Sequence, residues 1–78
     1  WAPYGITVNC IAPGYMNTDM NKDYCADLSR SGHLLARIPV GRWGVERDLR
    51  AACVFLASKE ADYVTGILLP VDGGFLAW

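Results

Sequence analysis

Gly5-Ile6-Thr7-Val8-Asn9-Cys10-Ile11-Ala12-Pro13-Gly14-Tyr15-Met16-Asn17-Thr18 is the stretch whose reading decides the fold. Ile6 to Ala12 is short, rich in β-branched residues, and apolar on both faces apart from Thr7 and Asn9. A strand apolar on both sides belongs in a parallel sheet covered by helices. Pro13-Gly14 ends that strand. Asn17 or Thr18 then stands where a helix through Asp23 can be capped, with Asp19 favourable near its N-terminus. Ligands of open parallel sheets bind beyond such strand ends. The run is therefore expected to form one wall of a ligand site.

Outward from it, Trp1 to Gly5 reads as the frayed end of a helix, with Gly5 as its C-terminal cap. Within residues 15–37, Leu28, Leu34, Leu35 and Ile38 keep helical spacing and predict a second helix of about ten residues. Gly32 weakens it, since glycine in a helix costs about 1 kcal/mol relative to alanine. Two weak helices between firmer elements suit a mobile lid over a ligand, or an ordinary surface connection. Pro39 to Gly44 is a loop with three breakers.

The strongest helix is predicted over Val45 to Ser58. Val45, Leu49, Ala52, Cys53 and Leu56 form one apolar stripe. Burying Leu49 and Leu56 contributes roughly 1.5–3 kcal/mol each, while a Glu46–Arg50 pair adds only about 0.3 kcal/mol. Packing therefore decides this helix. Ala51, Val54 and Phe55 make its opposite face apolar too, so one side rests on the sheet and the other needs a partner surface. A turn at Lys59 to Tyr63 and Val64-Thr65-Gly66 lead into a second strand, Ile67 to Val71, closed by Asp72-Gly73-Gly74. Strand, helix, strand is a βαβ unit with parallel strands and a right-handed crossover.

Composition narrows the function. The 78 residues are 53% hydrophobic, which suits a piece of a larger core better than a self-sufficient module. The chain starts Trp-Ala-Pro, without an initiator Met or a signal-like segment, and reads as truncated at its start. No apolar run approaches the roughly 18 residues of a membrane span. Net charge is −1 with dispersed arginines, not the clustered basic footprint that nucleic acid needs. Cys10, Cys25 and Cys53 lack any C-x-x-C or Cys/His ligand spacing, so neither a metal site nor a disulfide framework is expected. Cys10 and Cys53 lie in apolar segments and read as small core residues. Free thiols point to a reducing, cytoplasmic setting.

The order Gly-Ile-x-Val-Asn-x-Ile-x-Pro-Gly, Arg-Trp-Gly, Asp-Leu, Phe-Leu-Ala-Ser, Tyr-Val-Thr-Gly, Val-Asp-Gly-Gly resembles the C-terminal part of short-chain dehydrogenases/reductases. Each piece alone is an ordinary turn or helix end; their shared order and spacing carry the likeness over nearly the whole chain. Pro-Gly-Tyr-Met with Arg-Ile-Pro-x-Gly-Arg-Trp-Gly is most similar to the gluconate 5-dehydrogenase and 2-deoxy-D-gluconate 3-dehydrogenase branch. The resemblance implies an α/β fold: the C-terminal part of a Rossmann-type doubly wound parallel sheet, with residues 1–78 one incomplete NAD(P)-binding domain. It implies that Pro13, Gly14, Tyr15, Met16 and Thr18 meet the nicotinamide end of NAD or NADP. Pro13 and Gly14 shape the turn, the Met16 backbone meets the carboxamide, and the Thr18 hydroxyl hydrogen-bonds the cofactor or caps a helix. Tyr15 and Met20 border the substrate, or pack the lid.

Arg42 and Trp43 read as structural residues that fasten the lid to the body, and by the same resemblance the long helix and last strand pack between subunits of a homotetramer. His33 reads as a surface residue without a catalytic partner. Relatives often carry proline in the first turn of the long helix, where this chain has Val45-Glu46; glutamate still suits the helix dipole.

The family's reactive machinery is not among these residues. Four positions beyond Tyr4, Tyr15, Tyr24 and Tyr63 stand Val8, Asp19, Leu28 and Ile67, so there is no Tyr-x-x-x-Lys and no catalytic residue is assigned. The Gly-x-x-x-Gly-x-Gly phosphate loop is missing too, as is the residue that selects NAD or NADP. These parts are expected upstream. Three readings follow. The first is the C-terminal portion of an NAD(P)-dependent oxidoreductase acting on a secondary alcohol or ketone of a sugar acid, inactive alone. The second is a non-enzymatic fragment docking onto dehydrogenase subunits; an upstream frame with Tyr-x-x-x-Lys separates the two. The third, a stand-alone small-molecule binding module, leaves sheet edges uncovered.

Overall fold

A computed structural model of the chain describes residues 1–77. Two parallel strands, β1 (Cys10–Pro13) and β2 (Leu68–Val71), pair in register from Cys10–Leu68 to Pro13–Val71. Between them in sequence lie three helices: α1 (Lys22–Ala26), α2 (Leu28–Leu35) and α3 (Glu46–Ala57). Short 3-10 turns occupy Ala2–Tyr4, Lys59–Ala61 and Phe75–Ala77. Helix α3 packs against both strands. No helix among the described residues is long and apolar enough to cross a membrane.

The first strand is shorter than its apolar pattern predicts, because side chains replace backbone at its entrance. Asn9 Oδ1 accepts from the Ile67 N–H at 3.1 Å, and Asn9 Nδ2 donates to the Val64 carbonyl at 3.1 Å. The Thr65 hydroxyl oxygen accepts from the Val8 N–H. Regular pairing then begins at Cys10, whose N–H donates to Ile67 O at 2.9 Å. Pro70 lacks an N–H, as an edge strand tolerates, and β2 has one neighbour among the described residues.

The predicted cap at Asn17 or Thr18 moves to Asn21. Residues 19–21 form a turn first, and α1 starts at Lys22. The second helix is eight residues long rather than about ten, because Asp27 caps it by accepting from the Ser29 N–H at 3.2 Å. The Ser29 hydroxyl also donates to that carboxylate and lowers its pKa. The long helix matches its sequence pattern, with Val45 and Ser58 as flanking caps. Asp48 Oδ2 accepts from the Val45 N–H at 2.7 Å, closing one side of the first turn. Gly5, at φ 78°, ends the first turn as its αL cap.

Little of the chain is core. Among the described residues Cys25, Ile38 and Ala61 are the buried apolar ones, with Ser31 the buried polar one. Ser31 Oγ donates to the Asp27 carbonyl at 3.1 Å, which ties α2 back to its own cap. The cysteine expectation is corrected: Cys25 is buried, while Cys10 and Cys53 are exposed. The radius of gyration, 15.3 Å, exceeds the roughly 11.5 Å of a compact domain this long. Val54 and Phe55 stand 64 and 49% exposed, so the second apolar face of α3 has no cover within the described residues, and Leu68 on β2 is 63% exposed.

Candidate functional site

Both strands end together, and the site forms where they do. Gly14 N–H donates to Val71 O at 3.0 Å, extending the ladder one residue past Pro13. That brings Gly14 against Asp72 so closely that a Cβ on Gly14 would lie 2.7 Å from Asp72 Cα. Carbon atoms settle at about 3.5–4.0 Å, so glycine is required there. Asp72 is itself fixed. Its Oδ1 accepts from Gly74 N–H at 2.9 Å and its Oδ2 from Leu76 N–H at 3.2 Å. The Val-Asp-Gly-Gly turn is thus clamped by its own carboxylate, with Gly73 and Gly74 at positive φ.

Two of the cavities near the strand exit are lined by the residues from Pro13 to Asp19. One, of about 260 Å³, is lined by Pro13, Gly14, Tyr15, Asp72 and Phe75 among others. The Tyr15 and Phe75 rings meet edge to face with centroids 5.2 Å apart. Arg37, two residues beyond α2, stands over the Phe75 ring at 4.5 Å. The second cavity, of about 420 Å³, is lined by Met16, Asn17, Thr18, Asp19, Glu46 and Leu49.

The backbone from Tyr15 to Thr18 is held from both sides. Gly44 N–H donates to Tyr15 O at 3.0 Å, and Asn17 N–H donates to Gly44 O at 2.8 Å. From the other side Asn21 Nδ2 donates to Met16 O at 2.8 Å. Asn21 Oδ1 accepts from the Thr18 N–H at 2.7 Å and the Thr18 hydroxyl at 2.9 Å. The Thr18 proton is therefore engaged, while its oxygen retains lone pairs to accept from an amide. Among the described residues the Met16 N–H has no acceptor, so it is free to donate.

The charge of this second cavity limits what it takes. The carboxylates of Asp19 and Glu46 line it, so a phosphate group there meets like charge, whereas a neutral amide-bearing ring does not. A free backbone N–H and a hydroxyl acceptor on two residues lining one cavity have the chemistry to meet the oxygen and the NH2 of a carboxamide.

Sequence reasoning selected Pro13, Gly14, Tyr15, Met16, Thr18 and Met20. The structure brings Pro13, Gly14 and Tyr15 into the first cavity and Met16 and Thr18 into the second. Met20 is 99% exposed on the turn before α1 and lines neither of them, so neither substrate contact nor lid packing is observed for it here. His33 is exposed, as read.

Arg42 and Trp43 do fasten the loop to its surroundings. Arg42 forks onto Asp48 at 2.8 and 2.9 Å, and Trp43 Nε1 donates to Cys25 O at 3.3 Å. The Arg42 fork, followed by the Val45 N–H, holds the Asp48 carboxyl well below the usual carboxylate range; the same bond raises Arg42. Missed by sequence reasoning were Asn21, Asp72 and Phe75. Asp72 was legible only as a turn residue, although an acid next to a glycine pair is a familiar acceptor of its own turn's N–H groups.

The chain is similar to known proteins over nearly its whole length. A family model described as Enoyl-(Acyl carrier protein) reductase matches residues 1–76. Among similar proteins, the 2-dehydro-3-deoxy-D-gluconate 5-dehydrogenase of Dickeya dadantii is 53% identical over 99% of this chain and 30% of its own length. The 5-keto-D-gluconate 5-reductase of Escherichia coli K12 is 48% identical over 96% of this chain and 30% of its own. The crystal structure of a gluconate 5-dehydrogenase from Burkholderia cenocepacia, in complex with NADP and tartrate, superposes with a TM-score of 0.88. It is 45% identical, over 100% of this chain and 31% of that one.

The fold is α/β, a parallel strand pair with a helix packed on it, and its solved neighbours are Rossmann-fold dehydrogenases. The chain belongs to the short-chain dehydrogenase/reductase family. It spans about 30% of the length of the curated relatives it matches.

Proposed function

We propose that the chain is the C-terminal portion of the single NAD(P)-binding domain of an oxidoreductase that interconverts a secondary alcohol and a ketone, with a sugar acid as substrate. The observation that carries this reading is the Met16–Thr18 segment. Met16, with a free N–H, and Thr18, with a hydroxyl acceptor, line a cavity that also holds Asp19 and Glu46, which suits the nicotinamide end of NAD or NADP better than its phosphates. Bound there, the cofactor supplies hydride transfer, and these residues hold the carboxamide so that one ring face is presented. Pro13 and Gly14 shape the wall, and Tyr15 borders the substrate from the first cavity. Similar proteins named for gluconate chemistry, one of them crystallised with NADP and tartrate, support the substrate class.

No Tyr-x-x-x-Lys is present in the 78 residues, so the proton-transferring group comes from outside them and the chain alone does not turn over. A homotetramer assembled through α3 and β2 fits the exposed Val54, Phe55 and Leu68. The same surface favours the second reading, a non-enzymatic fragment docked on dehydrogenase subunits. A cytoplasmic setting rests on the three free thiols.

Titration of the isotope-labelled chain with nicotinamide mononucleotide and with NADP⁺ tests the cofactor reading. Both ligands are expected to shift the Met16, Asn17 and Thr18 amides, and reduction of a keto-gluconate with NADPH is expected to be nil. Shifts confined to other residues, or none at millimolar ligand, overturn the cofactor assignment; turnover by the chain alone overturns the incomplete-site assignment.

A further inference from the structure

Three consecutive loop residues each hold a different part of the molecule. Arg42 places both guanidinium nitrogens on the Asp48 carboxylate at 2.8 and 2.9 Å, anchoring the loop to the first turn of α3. Its Nη1 also donates to the Trp43 carbonyl at 3.1 Å, which fixes the neighbouring peptide. Trp43 reaches back 18 residues, donating its indole N–H to the Cys25 carbonyl inside α1. Gly44 bridges to Met16, exchanging hydrogen bonds with Tyr15 O and Asn17 N. A Cβ on Gly44 would fall 2.5 Å from Met16 Sδ, so the Met16 side chain lies directly on this glycine.

A plain surface connection requires none of these bonds. The lid helix α1, the first turn of α3 and the Met16 backbone share no element, yet all three are tied within three residues. We propose that Arg42-Trp43-Gly44 is the positioning joint of the site, setting the lid and the Met16–Thr18 segment against α3 as one unit. Its importance for a dehydrogenase rests on the cofactor reading above; the joint itself does not. Arg42 acts through Asp48, and Trp43 acts through Cys25, so both are positioning residues.

The chemistry of each contact makes the joint specific. A bidentate fork fixes direction as well as distance, and lysine cannot reproduce it. An indole N–H is a donor only, so phenylalanine keeps the ring and removes the bond. Asn21 completes the hold from the lid side through Met16 O and Thr18. The same backbone is therefore held from two directions, by Gly44 and by Asn21.

Amide hydrogen exchange on the labelled chain tests this without any ligand. In Arg42→Lys and in Trp43→Phe, exchange at Asn17 and Gly44 is expected to quicken roughly fivefold to tenfold, as for one lost net hydrogen bond. Exchange at Cys10 and Gly14 in the strand pair, and at Leu56 in α3, is expected to stay as in the parent chain. Arg50→Lys, at the exposed pair with Glu46 on α3, serves as control and is expected to change nothing.

Unchanged exchange at Asn17 and Gly44 overturns the joint. An equal rise at Cys10, Gly14 and Leu56 overturns it too, because that is a global loss of stability. Should Trp43→Phe fail to fold, the exposed Arg42→Lys variant decides alone. If the local effect appears while nicotinamide mononucleotide shifts no amide in residues 16–18, the joint stands and the cofactor reading falls.

Discussion

Replacing Gly14 with alanine separates crowding from backbone strain. The new Cβ would lie 2.7 Å from both Asp72 Cα and Cβ and 3.3 Å from Asp72 O. Restoring ordinary carbon contacts needs about 1 Å of separation. That movement cannot be absorbed by Asp72, whose carboxylate is bonded to Gly74 and Leu76 N–H groups. Nor can the next turn give way, because a Cβ on Gly73 would already lie 2.8 Å from Ile38 Cγ2. Overpacking of this kind costs about 1–3 kcal/mol, and stretching the Gly14–Val71 hydrogen bond adds about 1 kcal/mol.

The sum of about 2–4 kcal/mol compares with roughly 4–12 kcal/mol for a stable domain of this length. It raises the open population of the strand pair about 30-fold or more, at 1.4 kcal/mol per tenfold. Amide exchange at Cys10, bonded to Ile67 O across the pair, reads that population directly. Gly5→Ala is the comparison, since Gly5 has φ 78° and nothing within 4 Å of a Cβ. Its penalty is the left-handed backbone alone, about 1–2 kcal/mol, and it loosens only the first turn. Cys10 exchange within about twofold of the parent in Gly14→Ala, against the predicted 30-fold, refutes the close-approach argument. So does an equal effect from Gly5→Ala.

Other outcomes follow from the same contacts. Asp48 titrates well below its unfolded value, so its contribution to stability is complete above about pH 4 and declines as pH falls toward the folded pKa;. Melting temperature followed from pH 6 to 2 is expected to drop more steeply in the parent chain than in Asp48→Asn, and parallel curves contradict the linkage. Asn21→Ala removes the acceptor of Thr18 N–H and Oγ–H and the donor to Met16 O. At about 1 kcal/mol or less for each such bond, a local loss of about 1–3 kcal/mol is expected, read as faster Thr18 and Cys25 amide exchange; unaltered rates count against it. Val54→Lys, on the uncovered face of α3, is expected to change stability by less than about 0.5 kcal/mol while lowering self-association in sedimentation velocity. Unfolding of that variant shows that Val54 is packed after all.

The local chemistry of several elements was legible in the residues themselves. Val45 to Ser58 was read correctly because its apolar stripe and acidic first turn agree with one another, and helical hydrogen bonds are satisfied within the segment. The Pro13-Gly14 exit and the Asp72-Gly73-Gly74 turn were likewise readable, since proline and glycine act through their own backbone. The start of β1 was not. Asn9 and Thr65 are some 56 positions apart, and only their meeting with Val8 and Ile67 shows that side chains take over the ladder there.

The same division holds at the site. The residue pattern marked Gly5 to Thr18 as a strand and turn expected to wall a ligand site, and the family resemblance singled out Pro13, Gly14, Tyr15, Met16 and Thr18 within it. It misplaced the helix cap at Asn17 or Thr18, since Asn21 wins the Thr18 hydroxyl only after the turn at residues 19–21 has formed. Tertiary structure alone decided that Gly14 touches Asp72, that Phe75 packs on Tyr15, and that Trp43 reaches Cys25. Those contacts join segments remote along the chain, and their energies depend on ångström-scale distances that no residue pattern encodes.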